Sequence, residues 1–309
     1  MTYKRILLLP HLHIHNANAL SSPFTIGFPA MTAWLGATHA LQRKLQENGF
    51  HILCKSTGVV SHQCDLQTYR GENDFVSSVV GTGNPLDKTG ERSSFIEEAR
   101  CHLDVSLLIE IEGITQALDD ALIEVVTHLL NAKMKIAGGD IQAFNAPIIR
   151  VVQQGSETDF RSLTRKLMPG YVLIERRDLM IEAMEQGQDA MDALIDYLAI
   201  HHSCEKNDEG EVVWKSHRKT QKDKPAGWIV PIATGFHGIS DLGEAKNQRD
   251  PDTPHRFAES LVTLGEFKMP HRFASIDQML WNYQVDVEKD LYQCVPVSST
   301  TNELEDEFI

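Results

Sequence analysis

Three histidines, His11, His13 and His15, alternate with Leu12 and Ile14 near the start of the 309-residue chain. On an extended backbone they share one face, and imidazoles at i and i+2 can hold a metal ion jointly if a third ligand comes from elsewhere. No His-x-x-Glu-His or similar companion is present. They are read as a solvated or inter-subunit strand face, and neither a metal nor a cofactor is expected. Just beyond, Asn16, Asn18, Ser21 and Ser22 offer amides and hydroxyls ahead of a predicted helix. A helix N-terminus points N–H groups outward with partial positive charge, which suits a phosphate or a splayed base. The same residue types also build turns that satisfy only their own backbone, so the residues alone leave both readings open. The chain has no Gly-x-Ser-x-Gly elbow and no Walker phosphate loop, and Gly138-Gly139 is too short for a dinucleotide fingerprint. No enzyme is expected; an RNA-processing nuclease working through histidines is the alternative.

The elements that must position these residues follow from apolar spacing. Residues 4–15, which alternate after Pro10, predict an opening strand, while Trp34, Ala37, Leu41 and Leu45 predict a helix over 30–46. Strands are predicted over 58–69 and 100–111. Between them lies an excursion over 70–95 with Gly71, Gly81, Gly83, Asn84, Pro85 and Gly90, longer than an ordinary hairpin loop. A helix over 117–132 and a fourth strand over 133–141 complete a β-α-β-β-α-β order, that of the ferredoxin-like unit. The expected class is therefore α+β, with a ferredoxin-like (RRM-like) core over residues 1–150 and an irregular α/β portion over 151–309. In the second portion 160–167 and 177–200 predict helices, and 171–174 and 228–233 predict strands. Residues 203–224 read as a polar insertion and 302–309 as an acidic tail. Trp34, Trp228 and Trp281 lie in apolar or periodic stretches and are expected in the core.

With 42% apolar residues the chain is long enough to bury a sizeable core. No apolar run approaches the roughly 18 residues of a membrane span, and the first residues are too short for a secretory signal, so a cytoplasmic location is expected. The five cysteines, without a Cys-x-x-Cys pair, predict reduced thiols. A formal charge of −14 opposes a broad phosphate-binding surface, so any RNA site must be local. Basic residues do cluster, at Arg161, Arg165, Lys166, Arg176 and Arg177 and again at Lys215, Arg218, Lys219, Lys222 and Lys224.

Longer blocks carry more information. L-L-L-P-x-L-x-I-x-N-A-N-A-x-S-S-P-x-T-x-G-F-P spans residues 7–29, H-A-L-Q-R-K spans 39–44, and N-P-L stands at 84–86. E-E-A-R-x-H-L-x-V-S-L-L spans 97–108, L-T-R-K-L-x-P-G-Y spans 163–171, and K-P-A-G-W-I-V-P-I spans 224–232. N-Q-R-D-x-D-T-P-H-R-F at 247–257, L-G-E-F at 264–267, P-H-R at 270–272 and L-W at 280–281 follow in order. Together these blocks resemble the type I-F CRISPR family Csy-two over nearly the whole chain. The departures are the alanine within Lys-Pro-Ala-Gly-Trp, Phe267 in place of a tryptophan, and the three N-terminal histidines.

The resemblance implies a Cas-five-type RAMP subunit of the Csy (Cascade) complex, with residues 70–95 in the place of the family's inserted thumb hairpin. It further implies a chain that pairs with the large Csy-one subunit, holds the 5′ handle of the crRNA and touches the Csy-three backbone. Guide cleavage belongs to a different subunit, and a contribution to reading target DNA beside the PAM fits the same position. An acidic chain can hold RNA in this way if a partner's surface completes a small cationic groove. In that role Asn16, Asn18, Ser21 and Ser22 are expected at bases or sugars, and Arg43, Arg249, Arg256 and Arg272 at phosphates. His39 and His271 are expected to stack or hydrogen-bond, and Asn84 and Pro85 to wedge where the handle meets the guide.

Overall fold

The computed structural model describes residues 3–81, 86, 89–91, 98–206, 210–220, 227–246, 248, 250 and 252–298. Its first strand, β1 (Tyr3–Asn18), carries the unbroken apolar run Ile6 to Leu9, the mark of a strand buried on both faces. Leu7 and Leu9 enter one core cluster, while Ile6 and Leu8 enter another on the opposite face. Further along, Leu12 and Ile14 are buried and His13 and His15 exposed, as the alternation predicts.

A two-strand turn, β2 (Leu20–Ser22) with β3 (Thr25–Ile26), leads into α1 (Met31–Glu47). Its buried stripe of Met31, Trp34, Leu35, Leu41 and Leu45 packs on the sheet. β4 (Leu53–Leu66) follows, then the short pair β5 (Thr68–Tyr69) and β6 (Ser78–Val79), and then β7 (Arg100–Glu112). Of the predicted excursion over 70–95, residues 82–85, 87, 88 and 92–95 lie outside the described residues, as therefore do Asn84 and Pro85.

α2 (Asp119–Ala132) buries Leu122, Val126, Leu129 and Leu130 beside α1. The single strand expected over 133–141 is instead a tight hairpin of β8 (Lys135–Ile136) and β9 (Gly139–Ala143). Ala137 at φ +49° and Gly138 at φ +74° make the left-handed turn that two-residue hairpins need. Gly139 lies hard against β1, where a Cβ would sit 2.7 Å from Ile14 Cγ2 and 2.8 Å from the His15 carbonyl.

β10 (Ile148–Gln153), which the sequence pattern did not reveal, pairs with the first half of β1, and β9 pairs with its second half. α3 (Glu157–Lys166) and β11 (Tyr171–Glu175) come next. The one helix expected over 177–200 is two, α4 (Arg177–Glu185) and α5 (Ala190–Leu198). Gly187, at φ +96°, donates to the Met184 carbonyl and ends the first, and the Asp189 carboxylate caps the second. Within the polar 203–224 stretch the described residues form a hairpin of β12 (His201–Lys206) and β13 (Val212–His217). β14 (Trp228–Gly238), β15 (Ala258–Lys268), β16 (Trp281–Asp286) and β17 (Leu291–Pro296) complete the order. Residues 302–309 lie outside the described residues.

The result is an α+β protein whose described residues form three separate two-stranded sheets and one large antiparallel sheet. The order is β11-β15-β14-β17-β16-β4-β7-β1-β9-β8, and β11 also pairs with β4, which closes a circuit of pairings in its second half. Helices α1 and α2 cover one face of β4, β7, β1 and β9. On the other face α3 and the segment around Phe273 and Ile276 pack on Ile6, Leu8, Val60 and Leu108. Trp34 and Trp281 are fully buried, and each indole N–H finds a carbonyl, at Pro29 (3.1 Å) and Leu173 (3.0 Å). Trp228 departs from the expectation of core packing and is 55% exposed, because the strand that carries it begins at the mouth of a hollow. All five cysteines are free, and no described helix is long and apolar enough to cross a membrane.

Candidate nucleic-acid interface

The end of β1 is bent by Asn16, which sits at φ +62° where the register with β7 slips between Ile14 and Ala17. Its backbone N–H meets His102 Nδ1 at 3.3 Å, and its side-chain oxygen accepts from Gln67 Nε2 at 3.0 Å. Asn18 is exposed, and its Oδ1 accepts the Leu20 N–H at 3.0 Å. Ser21 and Ser22 share the Thr25 hydroxyl at 2.8 and 2.7 Å, and Ser22, buried, also accepts the Phe24 N–H. Part of this run thus satisfies its own turn. Asn18 and Ser21 remain on the wall of a hollow.

That hollow, of about 650 Å³, opens at the start of α1 and is lined by Asn18, Leu20, Ser21, Pro29, Ala30, Thr32, Ala33, Glu98, Arg100, Ala137, Gly138 and Phe236. No side chain caps this helix, and its first turn holds no acidic residue. The Ala33 N–H turns back to the Ala30 carbonyl at 2.9 Å, and the helix dipole favours an anion at this end. Arg100 lines the hollow beside its ion-pair partner Glu98. Its Nη2 meets Glu98 at 2.5 Å, while its buried Nε has no partner. Arg100 stands inside the 97–108 block but has no local pattern to single it out as a site residue.

A second hollow, of about 250 Å³, is lined by Ile26, Gly27 and Phe28, the residues just before Pro29 and Ala30. Phe28, Tyr171, Trp228 and Phe267 line it, with Ile26, Val230 and Pro231 and a rim of Ser61, His62, Gln63 and Cys64. Trp228 stands 5.5 Å from Tyr171 and 5.3 Å from Phe267, and Phe28 meets Phe267 edge-on at 5.2 Å. These rings come from four distant parts of the chain, which is why no local pattern announced the hollow.

The third feature is a histidine face. His11 Nδ1 lies 3.1 Å from both Asp104 oxygens, and its ring stacks on His62 with centroids 4.1 Å apart. His15 stacks on His102 at 4.5 Å, and His13, His15, His102, Asp65 and Asp104 line a polar hollow of about 220 Å³. Burial holds the His62 imidazole below its ordinary pKa, against the opposing pull of the Pro169 carbonyl it bonds.

Other predicted residues are more dispersed. His39 and Arg43 share the exposed face of α1. Arg256 pairs with Asp290, and its buried Nε has no partner. His271 and Arg272 are exposed on the 3-10 turn Pro270–Arg272, which packs against α3 on the sheet face away from α1. Arg249 lies outside the described residues. The basic clusters are largely neutralised: Arg161 meets Glu157 at 2.5 Å, Arg176 meets Asp178 and Glu266, and Arg177 meets Glu175 at 2.7 Å. Lys215 meets Glu205 at 2.6 Å and Lys219 meets Asp196 at 2.5 Å. Arg165 and Lys166 are exposed, and Lys222 and Lys224 lie outside the described residues.

Residues 7–294 match the model of the family described as CRISPR-associated protein (Cas_Csy2). The chain belongs to the Csy-two family. It is also 34% identical over 316 residues to the CRISPR-associated protein Csy2 of Pseudomonas aeruginosa (strain UCBPP-PA14), covering 93% of this chain and 94% of that protein. In this Csy-two chain the family-like blocks at 7–29, 163–171, 224–232 and 264–267 supply Phe28, Tyr171, Trp228 and Phe267, the four rings of the aromatic hollow.

Proposed function

We propose that this chain is a non-catalytic subunit of the type I-F Csy (Cascade) complex that seats the 5′ handle of the crRNA. The carrying observation is a pair of hollows lined by consecutive residues, one by Pro29 and Ala30 at a helix start without a side-chain cap, the other by Ile26, Gly27 and Phe28 among aromatic rings. Single-stranded RNA is held by cations and N–H groups on its phosphates and by aromatic faces under its bases. Adjoining hollows of these two kinds suit consecutive parts of one nucleotide strand. The antiparallel order β4-β7-β1-β9 with α1 and α2 on one face supports a ferredoxin-like RAMP core over residues 1–150, with the remaining strands added to it.

A chain of formal charge −14 needs a partner to complete a cationic path. In this reading the large Csy-one subunit supplies it and the Csy-three backbone abuts the assembly, with target DNA near the PAM within reach and all of it in the cytoplasm. Co-expression with the large subunit is expected to give a heterodimer that retains handle-bearing RNA, with crosslinks from the handle to β2, β3 or the start of α1. Separate monomers, or handle crosslinks confined to other subunits, would refute the proposal. One observation favours a second reading, an RNA-processing nuclease: the His11–Asp104 pair beside His62 has the composition of an acid–base couple. Incubation with repeat RNA, with and without divalent metal, separates the two. Cleavage abolished by His11→Ala and His62→Ala would promote the nuclease.

A further inference from the structure

The histidine expected to face solvent on β1 has found partners on two other strands. His11, His62 and Asp104 come from β1, β4 and β7, neighbours in the sheet. Among the described residues they form the one group of three His, Cys, Asp or Glu side chains whose ligand atoms all lie within 4.8 Å of one another. We propose that these three residues bind a divalent transition ion of the zinc type, leaving a fourth coordination position open. The site shares His62 with the rim of the aromatic hollow, but its metal uptake is measured without RNA.

The backbone and the surrounding hydrogen bonds prepare each ligand. His11 sits at φ +50° in the irregularity between Leu9 and Leu12, a conformation unusual for a residue with a side chain, and its N–H is anchored on the Ser106 hydroxyl at 3.0 Å. His62 Nδ1 lies 2.6 Å from the Pro169 carbonyl, which can only accept, so that nitrogen carries the proton. Its Nε2 therefore presents a lone pair, which accepts the Ser106 O–H at 2.7 Å, so an ion bound there takes the place of that hydrogen bond and the Ser106 side chain must shift. A histidine whose far N–H is held by a backbone carbonyl is the usual outer support of a metal ligand.

Distances and access agree. A tetrahedral ion at about 2.1 Å from each ligand separates the ligands by roughly 3.4 Å, so atoms now within 4.8 Å of one another must close, and the stacked His11 and His62 rings must turn so that both lone pairs meet the ion. The His11 and Asp104 side chains are 28% and 17% exposed. Asp104 also faces the polar hollow that contains His13, which supplies an entry path. Two imidazoles and one carboxylate suit zinc, cobalt or nickel over magnesium or calcium, which prefer oxygen ligands.

The test uses the purified full-length chain, stripped with chelator and titrated with Co²⁺ and then Zn²⁺. One equivalent is expected to bind, with the visible absorption of tetrahedral cobalt, displaced by zinc. His11→Gln, His62→Gln and Asp104→Asn should each weaken binding by roughly tenfold or more. The double variant His201→Gln/His217→Gln, which removes another stacked histidine pair at 5.6 Å, should bind as the parent does. X-ray absorption of the zinc-loaded parent should read two imidazoles and a carboxylate, whatever the stability of the variants. Uptake no stronger in the parent than in the triple variant, or uptake lost only with His201 and His217, would overturn the proposal.

Discussion

Trp228→Ala separates binding from packing more cleanly than any other change in the hollows. Because the residue is 55% exposed, less than half of a side chain that buries about 150–250 Å² leaves water in the free protein, roughly 70–110 Å². At about 25 cal/mol per Å² its removal costs the fold at most ~2–3 kcal/mol. A base stacked on the ring would contribute about 1–3 kcal/mol, so loss of the indole should weaken handle binding by roughly 5- to 150-fold. Trp228→Phe keeps a π-face and should recover most of that loss. Fluorescence anisotropy with labelled handle RNA, on the chain co-purified with its proposed large-subunit partner, measures the affinity, and a thermal melt measures the fold. As a control, Trp34→Phe, at a fully buried position, should lower the melting temperature and leave RNA affinity unchanged. Equal RNA affinity for Trp228→Ala and the parent, both folded, would refute the assignment of the aromatic hollow.

Arg100→Gln removes the cation at the start of α1, so handle affinity should fall for all sequences alike and its salt dependence should flatten by about one phosphate contact; titrations at several ionic strengths check this. Glu175 is buried, and burial raises its carboxyl above the usual range despite Arg177 beside it. A raised pKa means the fold prefers the protonated form, so this contribution is present below the ordinary carboxylate range and lost as pH rises through the raised value. Glu175→Gln should therefore melt at or above the parent temperature near neutral pH, with the gap closing in acid; a deficit largest at neutral pH would mean that the Arg177 ion pair dominates. Gly139→Val places a branched side chain where Ile14 and the His15 carbonyl already stand, so a loss of about 1–3 kcal/mol or more is expected in denaturant melts, with weakened amide protection along β9.

Apolar periodicity is local, so the first half of the chain was legible: β1, α1, β7 and α2 stand close to where alternation and helical spacing placed them, while β4 begins at Leu53, five residues before the strand expected from 58. The second half was less so. β15 shows no simple alternation of burial, because its pairing with β14 slips at a bulge near Gly235 and its faces meet different neighbours. Gly138 and Gly187 were visible in the sequence, but whether a glycine interrupts an element depends on the turn the rest of the fold requires.

The sequence by itself determined the family blocks, the order of the leading elements and a histidine-bearing strand with two buried aliphatic neighbours. Only the tertiary structure decided which of those residues act together. Asp104 lies 93 positions from His11 and His62 lies 107 from Pro169, and pairing between adjacent strands brings them within hydrogen-bond reach. It likewise gathered Phe28, Tyr171, Trp228 and Phe267 around one hollow and matched basic clusters with carboxylates that neutralise them. Local spacing encodes which face a side chain takes; strand pairing across long stretches of chain sets what that face meets.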